Sequence, residues 1–290
     1  PQCRRAPGSG SRDRRSVPPR PGPAPDGSTP LRSEAMDLHD PTSVVRLELR
    51  DGVATVTLDS QHNRNALSRQ LLDELHGALD RAEAADARAI VLTHAGPAFC
   101  AGADLKERRD GPPDSGPMVR VLERLMDTPA PTIAAVDGAV RAGGIGLMAS
   151  CDLVVVASST TFALTEVRIG VAAAIISVPI LRRVPAGRIA AAMLTGEPFD
   201  AHEARSMGLV THVADDVAAT TSTLTAGILA GAPRAVAETK RLLHRVPDLD
   251  RSAAFAEMQA LSEELFQGPD AAEGMAAFAE KRAPVWSTPQ

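Results

Sequence analysis

The chain has 290 residues, 44% of them hydrophobic and 23% charged, and a formal net charge of -5. That is enough apolar material for one large domain or two modest ones, but it offers no basic field for nucleic acid, and no apolar run approaches the roughly 20 residues that cross a bilayer. The three cysteines, Cys3, Cys100 and Cys151, have neither disulfide-framework density nor metal-ligand spacing, so a reducing, cytoplasmic setting with no metal site is expected, with no nucleic-acid or membrane partner.

Residues 1–35 are rich in Arg, Pro, Gly and Ser and nearly devoid of large apolar side chains. Such a segment cannot bury enough surface to offset its ordering entropy, so it is expected to be a disordered, dispensable tail. From Val44 the pattern becomes strand-like: Val44–Leu49 and Val53–Leu58 alternate and are joined by Asp51-Gly52, a hairpin turn signal. Ser68 is placed to cap a helix running to about Ala84, in which Leu71, Leu72, Leu75, Leu79 and Ala82 share one face.

A short buried strand, Ala89–Thr93, comes next, then a charged, proline-containing loop at Arg108–Pro117 and a helix at Met118–Met126. Further strands are read at Thr132–Val136, Leu153–Ala157 and Phe162–Leu164. Strands separated by helices favour crossover connections and an α/β fold. Beyond about Pro179 the strand signals fade, and helices are expected at Ile189–Leu194, His202–Met207, Val217–Ala230, Arg234–Leu243, Ser252–Leu265 and Asp270–Lys281. The resulting division is a tail over 1–35, a core over 36–230 and a helical region over 231–290.

Three stretches carry chemistry. Phe99-Cys100-Ala101-Gly102-Ala103-Asp104-Leu105-Lys106-Glu107 follows a buried strand, and its small residues let main chain approach a ligand. Read alone, it is also an ordinary strand-to-helix turn with Asp104 as N-cap. Asp137-Gly138-Ala139-Val140-Arg141-Ala142-Gly143-Gly144-Ile145-Gly146-Leu147 leaves a strand and opens an apolar helix, whose first N–H groups are unpaired and suit an oxyanion. A dinucleotide loop is the alternative, but the spacing is not that of the glycine fingerprint. In Leu164-Thr165-Glu166-Val167-Arg168-Ile169-Gly170-Val171 a carboxylate stands just past a short strand. A lone Glu is ordinarily a solvated surface residue. Apolar neighbours through Ile176 change that reading, because a carboxyl in an apolar wall has a raised pKa and can exchange protons near neutrality.

Together and in this order, these blocks resemble the enoyl-CoA hydratase/isomerase (crotonase) superfamily. The matching pieces are Asn65-Ala66-Leu67-Ser68, the Phe99–Glu107 block, Gly143-Gly144 with Cys151-Asp152 behind it, and Thr165-Glu166-Val167-Arg168. Leu194-Thr195-Gly196-Glu197, Ala204–Val210 and the closing Phe278-Ala279-Glu280-Lys281-Arg282 extend the match, so that it spans Val44 to Trp286. The resemblance implies a crotonase-like spiral of ββα repeats followed by a C-terminal helical region that mediates homotrimers, often paired into homohexamers. It implies an acyl-CoA thioester substrate, with coenzyme A entering as part of that substrate and no separate cofactor. It also implies an oxyanion hole made by the amides of Ala103 and Gly143, with Glu166 as the catalytic carboxylate. Arg64, Ala66, Ala101, Asp104, Leu105, Lys106, Gly144 and Lys281 are implied on the substrate, with Arg64, Lys106 and Lys281 toward its phosphates.

One position departs from the pattern. Two-glutamate hydratases of the superfamily carry a first Glu in the helix after the double glycine, where this chain has Gly146. Hydration of 2-enoyl-CoA to 3-hydroxyacyl-CoA stands first on family analogy. Isomerisation of 3-enoyl-CoA to 2-enoyl-CoA by a single glutamate is the alternative, and a non-catalytic acyl-CoA scaffold is a third reading opposed by intact Glu166.

Overall fold

In the computed structural model the described residues are 36–37, 42–104, 106–107 and 114–287. The expected tail over 1–35 lies outside them, as do Leu105 and residues 108–113 of the loop expected between Arg108 and Pro117.

The hairpin read from the sequence is present. Strand β1 (Met36–Asp37) pairs antiparallel with β2 (Val45–Arg50), which pairs with β3 (Val53–Leu58) across Asp51-Gly52. Both turn residues have positive φ, 49° and 77°, as a two-residue turn matched to strand twist demands. Alternation puts Ala54, Val56 and Leu58 inward, against Leu71, Leu75 and Leu79 of helix α1 (Arg69–Ala84). The Ser68 hydroxyl caps α1 by accepting from the Leu71 N–H at 3.1 Å, worth about 1 kcal/mol.

From there the chain repeats one unit. Strands β4 (Ala89–His94) and β5 (Ala98–Cys100) precede α2 (Gly116–Asp127); β6 (Thr132–Val136) and β7 (Ala139–Arg141) precede α3 (Gly143–Ala149); β8 (Leu153–Ala157) and β9 (Thr161–Ala163) follow. The first strand of each unit enters a seven-stranded sheet, ordered β1-β2-β3-β4-β6-β8-β11, and the second enters a four-stranded sheet, β10-β9-β7-β5. Each turn of the chain therefore adds one strand to both sheets, which is the spiral of ββα repeats. Strands β4, β6 and β8 are parallel neighbours with buried centres, and so read as apolar runs rather than alternating ones.

The remaining elements are α4 (Ala174–Arg183), α5 (Ala186–Thr195), β10 (Phe199–Asp200), α6 (Ala201–Met207), β11 (His212–Ala214), α7 (Val217–Leu229), α8 (Pro233–Arg245), α9 (Arg251–Phe266) and α10 (Pro269–Glu280). Two of these correct the sequence reading. Helix α4 runs through Pro179, and β11 shows that strand formation continues past Pro179, parallel to β8. A three-residue strand is too short to show a period, and the pattern of the sequence marks β5 and β7 no better.

The C-terminal helices are tied to the spiral by two cations, Lys240, which is buried, and Arg88, which is half-buried. Lys240 of α8 bonds the Leu125 and Ala130 carbonyls at 3.0 and 3.2 Å and pairs with Asp152 at 2.9 Å; both side chains are nearly buried, 5% and 8% exposed. Burial alone would raise the Asp152 carboxyl, but His244, Lys240 and the Thr132 N–H more than reverse this and hold it below its ordinary value. Arg88, at the start of β4, donates to the Leu229, Gly231 and Trp286 carbonyls. Helices α9 and α10 leave apolar surface bare: Phe255 is 73% and Phe278 88% exposed, while Leu261 is buried.

Removing one member of a buried ion pair leaves the other uncompensated, so Lys240→Met should lower stability by about 3–5 kcal/mol. Urea unfolding at neutral pH measures this. A loss no larger than that of an exposed pair would mean that Thr132 and His244 hold Asp152 adequately without Lys240.

Candidate active site

Three parallel strands of the smaller sheet, β5, β7 and β9, each end just before one of the residues singled out from sequence. Cys100 is the register partner of Val140, and Arg141 that of Ala163. Ala103 lies three residues past β5, Gly143 two past β7 and Glu166 three past β9. The register thus delivers all three to one edge, outside the carboxyl ends of the strands, where α/β sheets bind ligands.

At that edge the backbones run closer than side chains allow. A Cβ on Gly102 would stand 3.0 Å from the Ala142 Cβ, one on Gly144 would stand 2.6 Å from the Cys100 Cβ, and one on Gly143 would stand 2.6 Å from Leu67 Cδ1. Gly102 also has a φ of 94°, strained for any other residue. Leu67 and Ala103 form an isolated parallel bridge through the Leu67 N–H to the Gly102 carbonyl, 2.8 Å, and the Asp104 N–H to the Leu67 carbonyl, 3.4 Å. That pattern uses Leu67 twice and leaves the N–H of Ala103 out of the bridge. Gly143 is the first residue of α3, and a first-turn N–H has no acceptor within its own helix. Among the described residues neither amide meets an acceptor, and the Gly102–Ala142 approach sets the two in neighbouring segments, an arrangement that suits an oxyanion.

The Gly143 turn is held under strain. Ala142 has φ 47° and ψ -118°, an uncommon conformation for alanine, and its N–H donates to the Ala163 carbonyl at 2.9 Å. Arg141 stitches the same two strands, donating to the Thr161 carbonyl at 2.6 Å and to Thr161 Oγ1 at 3.0 Å.

Glu166 opens a 3-10 turn, Glu166–Ile169, that Arg168 buckles to the end of α5 through the Thr195 carbonyl, 3.0 Å, and Glu197. The carboxylate is half-buried, and among the described residues its Oε2 has no hydrogen-bond partner. Burial pushes the Glu166 pKa up, with only its own backbone N–H opposing. The thiols nearby are inert: burial drives Cys100 and Cys151 each up to about 12.

Of the other residues expected on the substrate, most gather in one place. The Ala101 N–H donates to the Arg64 carbonyl at 3.0 Å, and Asn63 Nδ2 to Asp104 Oδ2 at 3.3 Å, so the 63–67 and 101–104 segments lie side by side. Arg64 and Lys106 are exposed cations at this edge, with no ion-pair partner among the described residues. Ala66 and Gly144 are buried behind the loops. Asp104 is a loop organiser, since its Oδ1 accepts the Lys106 N–H at 2.9 Å. Leu105 lies outside the described residues. Lys281 stands apart: it caps α10 with φ 54° and has no hydrogen bond to the 101–104 or 142–144 segments among the described residues.

Sequence reasoning did not assign a site role to Asn65, whose side chain accepts from the Ser60 N–H at 2.7 Å and donates to the Ala98 and Ala95 carbonyls, fixing the approach to β5. Its signals were its place in the Asn65-Ala66-Leu67-Ser68 block and the turn-forming habit of asparagine. Among the described residues no cluster of His, Cys, Asp and Glu could hold a metal ion, and no helix is long and apolar enough to cross a membrane.

Comparison with known proteins identifies the family. The model of a family described as enoyl-CoA hydratase/isomerase matches residues 48–289. A Thermus thermophilus protein provisionally named an enoyl-CoA hydratase is 37% identical over 243 residues, covering 80% of this chain and 96% of that protein. The enoyl-CoA hydratase EchA19 of Mycobacterium tuberculosis is 34% identical over 254 residues, covering 82% and 94%. Among solved structures, an enoyl-CoA hydratase of Mycobacterium smegmatis superposes with a TM-score of 0.79 at 33% identity, covering 84% of this chain and 99% of that one.

The raised Glu166 pKa has a consequence for stability. Relative to an unfolded glutamate at 4.5, the folded state resists ionising this group, so it is penalised as pH rises through 4.5 and on through the folded value. Below 4.5 the proton is held in both states and the penalty is absent. Glu166→Gln should therefore match the wild type in melting temperature at about pH 4 and exceed it at about pH 8. Thermal scans at both values check this, and a variant that melts lower at the higher pH contradicts it.

Proposed function

Because the chain belongs to the enoyl-CoA hydratase/isomerase family, we propose that it isomerises 3-enoyl-CoA to 2-enoyl-CoA through a thioester enolate, with Glu166 as the sole proton carrier. The observation that carries this reading is a buried, unpartnered Glu166 oxygen at the strand edge that also presents Ala103 and Gly143, with a glycine at 146. The thioester oxygen sits between the amides of Ala103 and Gly143. Ionised Glu166 takes a proton from C2, and the electron pair moves onto that oxygen. The same carboxyl then returns the proton at C4 as the double bond moves from C3–C4 to C2–C3, and no water enters or leaves. Each preorganised amide contributes about 3–4 kcal/mol to the enolate-like transition state. A carboxyl with a raised pKa suits both halves, since it must give up and retake a proton near neutrality.

Hydration of 2-enoyl-CoA, placed first from the sequence, becomes the second reading. The names of relatives in Thermus and Mycobacterium favour it. The absence of a carboxylate at 146 favours isomerisation, because one glutamate suffices for a shuttle between two carbons whereas a water must also be held.

Exposed Arg64 and Lys106 are the proposed contacts for the phosphates of coenzyme A. Lys281 is proposed for the same role from a different part of the surface. The bare faces of α9 and α10, including Phe255, Phe266 and Phe278, support assembly into a trimer or hexamer.

Two measurements follow. Glu166→Gln keeps the shape of the side chain and removes the proton carrier, so turnover of 3-enoyl-CoA should fall about 10²–10⁴-fold with acyl-CoA affinity little changed. Near-normal turnover would remove Glu166 from the chemistry, and a wild type that consumes 2-enoyl-CoA but not 3-enoyl-CoA would restore hydration. Light scattering at micromolar concentration should report a trimer or a multiple of it, and a monomer would refute the assembly.

A further inference from the structure

Gly146 is not simply a missing side chain, because its place is taken. A Cβ there would stand 2.6 Å from the Ile176 Cβ, nearer still to its Cγ2, and 3.3 Å from its Cα. The obstruction includes α4 backbone, so rotating the Ile176 side chain cannot clear it. Nor can α4 withdraw freely: at its other end Arg183 donates to the Ala149, Cys151 and Asp152 carbonyls at 3.2, 2.7 and 2.6 Å, clasping the end of α3. Ile176 is 5% exposed and belongs to the main core.

The direction of this contact matters. Residues 143 and 146 are three apart in α3 and share a face, and a helical Cβ tilts toward the helix N-terminus. The space that a side chain at 146 would enter therefore lies along the face of α3 that begins at Gly143. An apolar methyl from α4 fills it, ten residues after Glu166 in the chain. A water held beside a reacting carbon needs two to four polar partners. Ile176 supplies none.

Resting on the reading of the site as an enolate-forming one, we propose that Ile176 is its specificity-determining residue: interlocked with Gly146, it keeps water from the enolate, so that the proton taken by Glu166 is returned to substrate. Gly146 and Ile176 form a matched pair, and neither can be exchanged for a larger group alone.

Valine and threonine at 176 are nearly isosteric, so comparing Ile176→Val with Ile176→Thr cancels the packing loss and leaves polarity as the difference. Turnover of 3-enoyl-CoA in deuterium oxide, read by mass spectrometry, gives the fraction of product carrying solvent deuterium at C4. The wild type and Ile176→Val should retain the substrate proton. Ile176→Thr should raise deuterium incorporation, and the yield of 3-hydroxyacyl-CoA, by about tenfold, equivalent to about 1.4 kcal/mol between competing barriers. Equal incorporation in active Val and Thr variants overturns the proposal. A wild type inert toward 3-enoyl-CoA overturns the reading beneath it, and the proposal falls with that. The interlock is tested separately by melting temperature: Gly146→Ala should be markedly destabilising alone and much less so beside Ile176→Ala. Additive losses would show that the two positions are not a pair.

Discussion

The reacting edge depends on one constraint, the approach of two main-chain segments within a distance that excludes a methyl group. Gly102 meets Ala142, and Gly144 meets Cys100, at 3.0 Å and 2.6 Å from where a Cβ would be. Without that contact the amides of Ala103 and Gly143 would have no reason to converge. The contact in turn requires β5 and β7 to be adjacent and parallel in correct register, and that requires the repeat which sends alternate strands to alternate sheets. The fold is therefore the means of holding two N–H groups out of hydrogen-bonding ladders. Keeping donors unpaired opposes stability, and the surrounding hydrogen bonds from Arg141, Asn65 and the Ala142 N–H offset it.

Glu166 follows the same logic with the opposite charge. Its Oε2 is buried and, among the described residues, without a partner, a situation folding ordinarily avoids. The result is a carboxyl whose two protonation states are brought closer in free energy at working pH, as a proton shuttle needs. The Ile176 side chain packs against Gly146 in the core between α3 and α4, and on the proposed reading of the site it also keeps water from the enolate. On that reading, core packing between α3 and α4 and the chemistry at the strand ends are one design, with the methyl beside Gly146 as the core contact they share.

Much of this was legible in the sequence. The first hairpin, the Ser68 cap and the buried strands announced themselves through alternation, turn residues and apolar runs, and long helices such as α9 and α10 fell within a residue or two of expectation. The small-residue blocks around Ala103 and Gly143 were visible because close approach leaves a compositional mark. Strands β5 and β7 were not, since three residues carry no period, and their pairing is decided by non-local register. Helix α4 was hidden by Pro179. Ile176 looked like one more apolar residue: its role comes from a contact with Gly146 thirty positions away, which no local pattern reports. Lys240 was likewise unmarked, an ordinary cation on a helix until α8 is laid against Asp152.

The central claim is that backbone donors polarise the thioester carbonyl, and infrared difference spectroscopy of a bound acyl-CoA labelled with carbon-13 at that carbonyl tests it most directly. On this account the labelled stretch moves to lower frequency on binding, and the shift persists in Glu166→Gln because the donors are main-chain amides. A bound carbonyl that absorbs where it does in free solution, with affinity intact, would contradict the account.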